Sequence, residues 1–318
     1  MKKNECKKPW ELHTAVLLNE LVNSIKIHKN KKNIIVDCTL WMWWHATEVI
    51  KKLNSWDVFI WFDADYRNLE IVKPVLEKIA LEHNVEIFFV NDNFRNLKEN
   101  LEKLNFTKIT WIYYDFGLSS LHVDEADRWF SFKNDWPLDM RFDETTWITA
   151  AQIINSYSKD DLLRIFREYW EEPSARKIAE KIFEVRKTWF RFKTTLELSK
   201  LIQEVSKFPK SKTRIFQALR IETNKELEVI EVSMKDAIEM LDKNWSIFAI
   251  SFHSLEDRIV KNIFKDESRD CICSELICVC HHKKQLKIMT KKPILPTEDE
   301  IKQNPRSRSA KARFAVKI

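Results

Sequence analysis

The sequence predicts an α/β fold in which a parallel, doubly wound sheet is interrupted by a helical insertion. Apolar runs typical of buried strands alternate with amphipathic helical segments through the first third of the chain. A basic, mostly helical stretch follows, and an apolar strand-like run returns at residues 246–254. Such alternation is typical of a sheet whose right-handed crossovers bring the carboxyl ends of all strands to one edge.

The individual elements follow from apolar periodicity. Helices are predicted where apolar residues recur three and four apart, over residues 14–25, 46–53, 67–83 and 94–104. Strands are predicted where apolar residues are continuous, over residues 33–38, 57–62, 85–90, 109–114, 286–289 and 313–318. We therefore expect residues 1–124 and 225–318 to form one sheet domain, and residues 125–224 to form the helical insertion.

Two helix starts are predicted from a Thr followed three residues later by a Glu. This capping-box spacing occurs at Thr194 with Glu197 and at Thr223 with Glu226. We expect one helix to begin after each threonine.

Glycine is nearly absent, and tryptophan is unusually frequent. The 318 residues contain 1 Gly and 13 Trp, whereas average usage would give roughly 22 glycines. Several tryptophans, such as Trp56, Trp136 and Trp245, stand in turns where a positive φ would favour glycine. Our hypothesis is that UGA specifies glycine in the source and that the printed translation wrote Trp. An aromatic-rich protein, the alternative, leaves the missing glycines unexplained.

Bulk properties limit the classes of function. No run of 18 apolar residues occurs and the start MKKNECKKPW has no apolar signal region, so we expect a cytoplasmic protein without a membrane span. Of the net charge of +6, an excess of +8 lies between Pro173 and Arg214, with 12 Lys or Arg against 4 Glu. This block indicates either a polyanionic partner such as nucleic acid or a solvated helical face.

Chemistry-bearing residues follow the predicted strands. After the first strand, LWMWWHA would become LGMGGHA with glycines, which lets backbone N–H groups approach a ligand at a helix N-terminus. Asp63 ends the second strand, where a carboxylate typically binds ribose hydroxyls. Phe94 follows the third and has the shape to stack on adenine, and Asp115 ends the fourth. Taken singly, each aspartate fits a turn former and Phe94 a core residue.

Together these features predict an adenosine cosubstrate on a Rossmann-like sheet. NAD and S-adenosylmethionine are the two alternatives. Dinucleotide sites show the spacing G-x-G-x-x-G. The corrected G-M-G-G-H departs from that spacing and favours S-adenosylmethionine.

Longer segments carry a specific resemblance that covers nearly the whole chain. They are HTAVLLNE, VDCTLWMWWHA, YYDFGLSS, RWFSFKNDWPLDMRFD, YWEEPSARKIAEKI, TRIFQALRIETNKEL, SIFAISFHSLEDRIVK and NPRSRSAKAR. These segments resemble the MraW (RsmH) family of ribosomal RNA methyltransferases. Tryptophan fills glycine positions of that family at 41, 43, 44, 56, 61, 111, 129, 136, 147, 170, 189 and 245, and only Trp10 is left over. This agreement supports the glycine hypothesis independently.

The resemblance implies a class I methyltransferase that uses S-adenosylmethionine to methylate N4 of a cytidine at the decoding centre of small-subunit (16S) ribosomal RNA. The implied partner is that RNA, within an assembled small subunit; a homodimer is left open, and no membrane is involved. The implied cosubstrate contacts are Trp43, Trp44, His45, Asp63, Phe94, Asp115 and His122, of which His122 falls where family members vary.

One residue is a candidate for catalysis and four are candidates for RNA binding. Asp115 is the candidate acceptor for an amine hydrogen of cytosine, or else it contacts only the cosubstrate. The helical insertion is expected to recognise the RNA. Candidate RNA contacts are Arg141, His253, Arg306 and Arg308. Each has a structural alternative. Arg141 fits equally well an ion pair with Asp139 or Asp143, and His253 fits a helix cap. Arg306 and Arg308 fit a solvated tail.

Four of the six cysteines are concentrated in one short segment. Cys271, Cys273, Cys278 and Cys280 invite a zinc site, although ligands one residue apart are not the usual C-x2-C spacing. Reduced thiols in a flexible loop are the alternative.

Two other functions compete with methyl transfer. If the tryptophans are literal, Trp43 and Trp44 fill the methionine pocket, and the chain is an inactive RNA-binding protein on a methyltransferase fold. An NAD-linked oxidoreductase is the other alternative, which the turn spacing and the basic insertion disfavour.

Overall fold

Seven strands of the described chain form one sheet. The computed structural model describes residues 15–39, 43–117, 135–142, 148–273 and 278–318. The strands are β1 (Ile34–Asp37), β2 (Val58–Asp63), β3 (Glu86–Asn91), β4 (Ile109–Asp115), β5 (Leu241–Ser251), β6 (Leu286–Ile288) and β7 (Lys311–Lys317). Their order across the sheet is β3-β2-β1-β4-β5-β7-β6.

The strands β1 to β5 run parallel, whereas β7 runs antiparallel to both of its neighbours, β5 and β6. The apolar pattern predicted the strands but not this reversal, because periodicity carries no information about strand direction. Parallel pairing places the ends of β1, β2, β4 and β5 at one edge, and the start of β7 joins them because Lys311 pairs with Ser251.

Twelve helices accompany the strands within the described residues. They are α1 (Leu18–Ser24), α2 (Trp43–Ile50), α3 (Tyr66–His83), α4 (Leu97–Lys103), α5 (Ala150–Ser156), α6 (Lys159–Glu168), α7 (Ala175–Lys187), α8 (Thr195–Val205), α9 (Ser211–Asn224), α10 (Glu226–Met240), α11 (Ser254–Glu267) and α12 (Glu298–Gln303). None of these helices is both long enough and apolar enough to cross a membrane.

Side chains alternate across the sheet and build a core on each face. On β2, Val58 and Ile60 belong to the core that also contains Leu97 of α4 and Met234 of α10. The intervening Phe59 lies in the opposite core, which receives apolar side chains from α1, α2 and α3. Because both faces are covered by helices, the sheet is doubly wound, as the sequence predicts.

The chain divides into two compact units. One comprises Met1–Ser120 and Glu228–Ile318, and the other comprises Leu121–Leu227. The second unit is helical and has its own apolar core, to which α5–α9 contribute. Within it the half-exposed Tyr157 and Tyr169 donate hydrogen bonds to Glu222. Burial raises the pKa of Glu222, but bonds from Lys225 and the two tyrosines outweigh this and hold it below its ordinary value.

One capping prediction is confirmed and the other is wrong. At the start of α8, the Glu197 N–H donates to Thr194 Oγ1 (3.4 Å) and the Thr194 N–H donates to Glu197 Oε2 (3.1 Å). Thr223, in contrast, lies inside α9, which continues to Asn224. A single left-handed residue, Lys225 (φ 51°), separates α9 from α10. The two helices therefore meet without room for a threonine cap.

Candidate active site at the carboxyl edge of the sheet

Buried carboxylates line the carboxyl edge of the parallel strands. Asp37, Asp63 and Asp115 end β1, β2 and β4, and Asp37 and Asp115 are only 2% and 4% exposed. Burial raises the pKa of Asp37 to about 8. Burial, followed by repulsion from Asp37 and Glu256, raises the pKa of Asp115 well above its ordinary value. Such an edge favours a cationic ligand, since a positive charge would stabilise the ionised forms.

Asp37 is held by groups from neighbouring segments. The Tyr113 hydroxyl of β4 donates a hydrogen bond to Oδ2, and the Thr39 N–H donates to Oδ1 (3.0 Å). The sequence analysis did not predict a role for Asp37. Like Asp63 and Asp115, however, Asp37 is an acidic residue that ends an apolar strand.

Asp115 lies at the centre of the edge beside His45. Its backbone N–H donates to Thr39 Oγ1 (2.6 Å), and its Oδ2 lies 3.6 Å from His45 Nδ1. His45 Nε2 lies 3.0 Å from the carbonyl oxygen of Val16, so the segment before α1 helps to orient the ring. Within the described part of the chain, buried Oδ1 of Asp115 has no hydrogen-bond partner. A ligand donor would satisfy it, because buried polar atoms are rarely left without partners.

Asp63 is positioned by the turn that leads into α3. The Asp65 N–H donates to its Oδ1 (2.6 Å), Asn68 Nδ2 donates to its Oδ2 (3.2 Å), and Asn91 of β3 donates to its carbonyl (2.9 Å). Burial raises the pKa of Asp63 well above its ordinary value. Each carboxylate oxygen has a second lone pair, so the side chain retains the capacity to accept from a ribose diol.

Phe94 opens a single 3-10 turn, Phe94–Asn96, directly after β3. Its ring centroid lies 5.8 Å from that of Tyr114 and 6.2 Å from that of Phe116. The side chain is half-buried and packs against the core beneath it. Phe94 therefore contributes to the core and also lies at the edge where adenine stacking is predicted.

Two indoles occupy the start of α2, where backbone N–H groups would face a ligand. The ring centroids of Trp43 and Trp44 are 6.2 Å apart. Trp43 packs against the core on the α1–α3 face, while Trp44 is exposed. Residues 40–42 of this turn and the predicted contact His122 lie outside the described residues.

Other tryptophans have an environment that suits glycine better. Trp56 and Trp189 adopt φ of 73° and 65°, which is unfavourable for a bulky side chain. Over the residues described, the buried indole N–H groups of Trp61, Trp111 and Trp136 find no hydrogen-bond acceptor. A buried donor without a partner costs roughly 1–3 kcal/mol. Glycine would remove both penalties.

The predicted RNA contacts of the sheet unit lie at this same edge. His253 caps α11, since the Glu256 N–H donates to His253 Nδ1 (3.4 Å) and the His253 N–H donates to Glu256 Oε2 (3.1 Å), which is the capping alternative. Arg306 and Arg308 are exposed in the 3-10 turn Pro305–Ser309. This turn leads directly into β7, whose first residue pairs with the carboxyl end of β5. Two arginines therefore lie close to the acidic edge.

Two other arginines are engaged in ion pairs. Arg141 of the helical unit binds Asp139 through two nitrogens, at 2.7 and 2.9 Å, which is one of its structural alternatives. Arg313 of β7 is buried and binds Asp257 of α11 at 2.6 and 3.1 Å. Arg313 thus links a strand to a helix and is not available to phosphate.

The four clustered cysteines lie between α11 and β6. Cys271, Cys273, Cys278 and Cys280 place all their sulfur atoms within 4.8 Å of one another.

The sheet order, the antiparallel β7 and the acidic carboxyl edge define a Rossmann-like protein of the class I methyltransferase type. The sequence pattern of the MraW methylase family matches residues 11–318, and the chain belongs to that family.

Named relatives match over almost their full length. "Ribosomal RNA small subunit methyltransferase H" of Clostridioides difficile is 43% identical over 314 residues, 96% of this chain and 99% of the relative. The protein of the same name from Finegoldia magna is 41% identical over 317 residues, 96% of this chain and 98% of the relative. A solved rRNA methylase from Streptococcus thermophilus aligns with 98% of this chain and 98% of its own, at 8% identity and a TM-score of 0.42.

Proposed function

We propose that this chain transfers the methyl group of S-adenosylmethionine to N4 of a cytidine at the decoding centre of small-subunit ribosomal RNA. The observation that carries the proposal is membership of the methylase family over residues 11–318, with relatives that are named for small-subunit ribosomal RNA. The acidic carboxyl edge supports it, because the sulfonium and ammonium groups of S-adenosylmethionine are both cations and would be attracted to carboxylates.

The residues at the edge fit the cosubstrate in part. Asp63 would accept from the ribose hydroxyls, Phe94 would lie by the adenine, and Asp115 and His45 would complete the centre. His122 is assigned to the same site by sequence alone. Trp43 and Trp44 do not fit, because bulky indoles stand at the start of α2, where backbone N–H groups would approach the cosubstrate. Glycines at these two positions would fit.

We propose Asp115 as the group that accepts an amine hydrogen from cytosine. The exocyclic amine is a weak nucleophile, because its lone pair is delocalised into the ring. When bound, the cosubstrate supplies an electrophilic methyl group. A carboxylate on the amine hydrogen stabilises the positive charge that develops on nitrogen. The buried Oδ1 of Asp115, which has no hydrogen-bond partner among the described residues, is the atom available for this contact.

The RNA would be held by positive side chains outside the cosubstrate site. Arg306 and Arg308 are exposed at the acidic edge and suit phosphate contacts. His253 and Arg141 remain candidates, although His253 caps α11 and Arg141 already binds Asp139. We propose that the helical unit recognises the RNA through its basic block, and that the target base leaves its stack to reach Asp115.

We further propose that the tryptophans at family glycine positions are glycines in the working protein. The left-handed φ of Trp56 and Trp189 and the buried indoles without acceptors support this. Mass spectrometry of the tryptic peptide Asn33–Lys51 from the native host tests it. A mass with three glycines is expected. A mass with three tryptophans would contradict the proposal and favour an RNA-binding protein without catalysis.

The activity is tested with the glycine-bearing chain, in which glycine replaces tryptophan at the family glycine positions. The substrates are ribosomal RNA and methyl-labelled S-adenosylmethionine. N4-methylcytidine in the digested RNA is the expected product. We propose that the enzyme is cytoplasmic and that its substrate is the assembled small subunit. Label transfer to assembled subunits but not to free RNA would identify the subunit as the substrate. Sedimentation of the same sample distinguishes a monomer from a homodimer. Binding of RNA without methyl transfer would contradict the proposed enzymatic activity. Saturable NAD binding would favour an oxidoreductase.

A further inference from the structure

A compact group of four thiols lies away from the methyl-transfer site. The cluster comprises Cys271, Cys273, Cys278 and Cys280, in the connection between α11 and β6. The site at the carboxyl edge uses none of these residues. The connection also contains no tryptophan, so its chemistry does not depend on how UGA is read.

Two of the sulfur separations match those of a tetrahedral metal site, and all of them lie within 4.8 Å. Sγ of Cys280 lies 3.8 Å from Sγ of Cys278 and 3.9 Å from Sγ of Cys271. Zinc–sulfur bonds of about 2.3 Å in a regular tetrahedron place neighbouring sulfurs about 3.8 Å apart. A disulfide would require about 2.05 Å between two of them. The thiols are thus too far apart for a disulfide and well placed around a single ion.

The backbone of the connection supports the arrangement of the sulfurs. The Val279 N–H donates to Sγ of Cys273 (3.4 Å), so a residue between two of the cysteines supports a third. This bond helps to fix the position of the Cys273 sulfur, as outer hydrogen bonds do for the ligands of a metal site.

The two ends of the connection are joined to each other. The Gln285 N–H donates to the carbonyl of Glu267 (2.8 Å), and Gln285 Nε2 donates to its Oε2 (2.9 Å). Lys317 Nζ then donates to Gln285 Oε1 (2.6 Å), which ties this neck to β7. Glu267 and Gln285 therefore join the two ends of the connection, and a metal bound by the four cysteines would fix these cysteines relative to one another.

Topology places the cluster opposite the acidic edge. The helix α11 starts at the carboxyl end of β5 and runs back, so that it ends near the amino edge of the sheet. Because β7 is antiparallel to both β5 and β6, β6 runs in the same direction as β5 and also starts at the amino edge. The cluster is thus far from the reacting groups, and a metal there would be structural.

Charge near the cluster favours a thiolate complex. A divalent ion with four thiolates carries a net charge of −2. The sequence continues from Cys280 with His281, His282, Lys283 and Lys284, so two positively charged lysines follow the cluster closely along the chain.

We propose that Cys271, Cys273, Cys278 and Cys280 bind one structural Zn²⁺ ion that fixes the connection between α11 and β6. Four protein ligands close the coordination sphere, which is typical of structural rather than catalytic zinc.

Metal analysis of the intact purified chain tests the proposal. We expect one zinc per chain by native mass spectrometry and elemental analysis, retained on dialysis without chelator. Replacing zinc with Co²⁺ is expected to give the visible d–d absorption of a tetrahedral thiolate complex. The chain as printed and the glycine-bearing chain should give the same result, whether or not either transfers methyl groups.

A matched pair of variants localises the metal. Cys278→Ser is expected to lose zinc to a chelator that leaves the unaltered chain loaded, while Cys6→Ser, which also removes one thiol, is expected to retain it. Zinc-free chain with four thiols that alkylate freely would overturn the proposal. Iron in place of zinc, or disulfides between these cysteines, would overturn it equally.

Discussion

At the scale of single residues, the site is defined by carboxylates that the fold holds at the carboxyl edge of the sheet, where Asp37 and Asp115 are buried. Asp37, Asp63 and Asp115 all have a raised pKa, and burial is the main cause in each case. A protein keeps such costly groups where a ligand compensates them. We infer that part of the folding free energy is given up here to favour a positively charged ligand.

Replacing Asp115 with Asn separates catalysis from binding. Asp115→Asn keeps the shape but removes the acceptor charge, so kcat for methyl transfer is expected to fall roughly a hundredfold or more. Affinity for the cosubstrate, measured by calorimetry, should change far less.

The matched control is Asp57→Asn. Asp57 is equally buried but precedes β2 at the opposite edge, where it accepts from the backbone of Asn33 and Asn54. This variant should lower the melting temperature and leave kcat unchanged. Both variants are made in the chain that carries glycine at the family glycine positions. Equal kcat values for Asp115→Asn and that parent chain would exclude Asp115 as the acceptor.

The raised pKa of Asp37 predicts that stability falls as pH rises. The ordinary value is 3.8 and the folded value is about 8. Between these two values the folded state binds the proton that the unfolded state has released, so raising the pH favours unfolding. Thermal unfolding across this window should show a falling melting temperature. Asp37→Asn should flatten the slope, whereas Asp160→Asn on the exposed face of α6 should not; a slope unchanged in Asp37→Asn would refute the assignment.

The residue-scale site could be predicted only in part. Asp63 and Asp115 were identifiable because each ends an apolar run. The importance of Asp37 depends on burial and on Tyr113, which lies 76 positions away in sequence and one strand away in space. The ion pair of Arg313 with Asp257 was likewise not visible, since a spacing of basic residues does not reveal which of them is buried.

At the scale of elements, the strand-to-helix turn decides whether the cosubstrate can bind. In the chain as printed, the first two residues of α2 are indoles. We expect the double variant Trp43→Gly with Trp44→Gly to bind S-adenosylmethionine by calorimetry, and the printed chain not to bind it, because glycine exposes the N–H groups of the helix start. Binding to the printed chain would refute the blocking role of the indoles.

The control for this change is the same substitution at Trp56 and Trp189. Both are exposed and left-handed, so glycine there should stabilise the fold by about 1 kcal/mol each, as measured by chemical denaturation. Binding should not appear. The comparison separates relief of backbone strain from opening of the site.

Most elements were predictable because strands and helices in a doubly wound fold have distinct apolar periods. The predicted strand over residues 109–114 is observed at Ile109–Asp115, and the predicted helix over residues 67–83 at Tyr66–His83. The wrong capping box at Thr223 shows the limit. The spacing fits a helix start, but packing extends α9 through that residue.

At the scale of the whole molecule, positive charge is expected to hold the RNA. The exposed Arg308 is predicted to contact phosphate, so Arg308→Ala should weaken RNA binding at every sequence. It should also reduce the slope of log K against log salt by about 0.7. Lys51→Ala is the control, because this exposed lysine pairs with Glu48 at the far end of α2. An unchanged slope for Arg308→Ala would remove this residue from the interface.

The antiparallel β7 has a consequence for the order in which the protein folds. This strand lies between β5 and β6, although it follows both in the chain. Until β7 docks, β6 has no neighbour in the sheet and β5 has an open edge. Sheet closure must therefore wait for contacts between distant parts of the sequence, which is the slow type of folding step. The helical unit, which is continuous in sequence, can collapse earlier. Refolding is thus expected to proceed in two phases, with β6 and β7 joining the sheet in the later one.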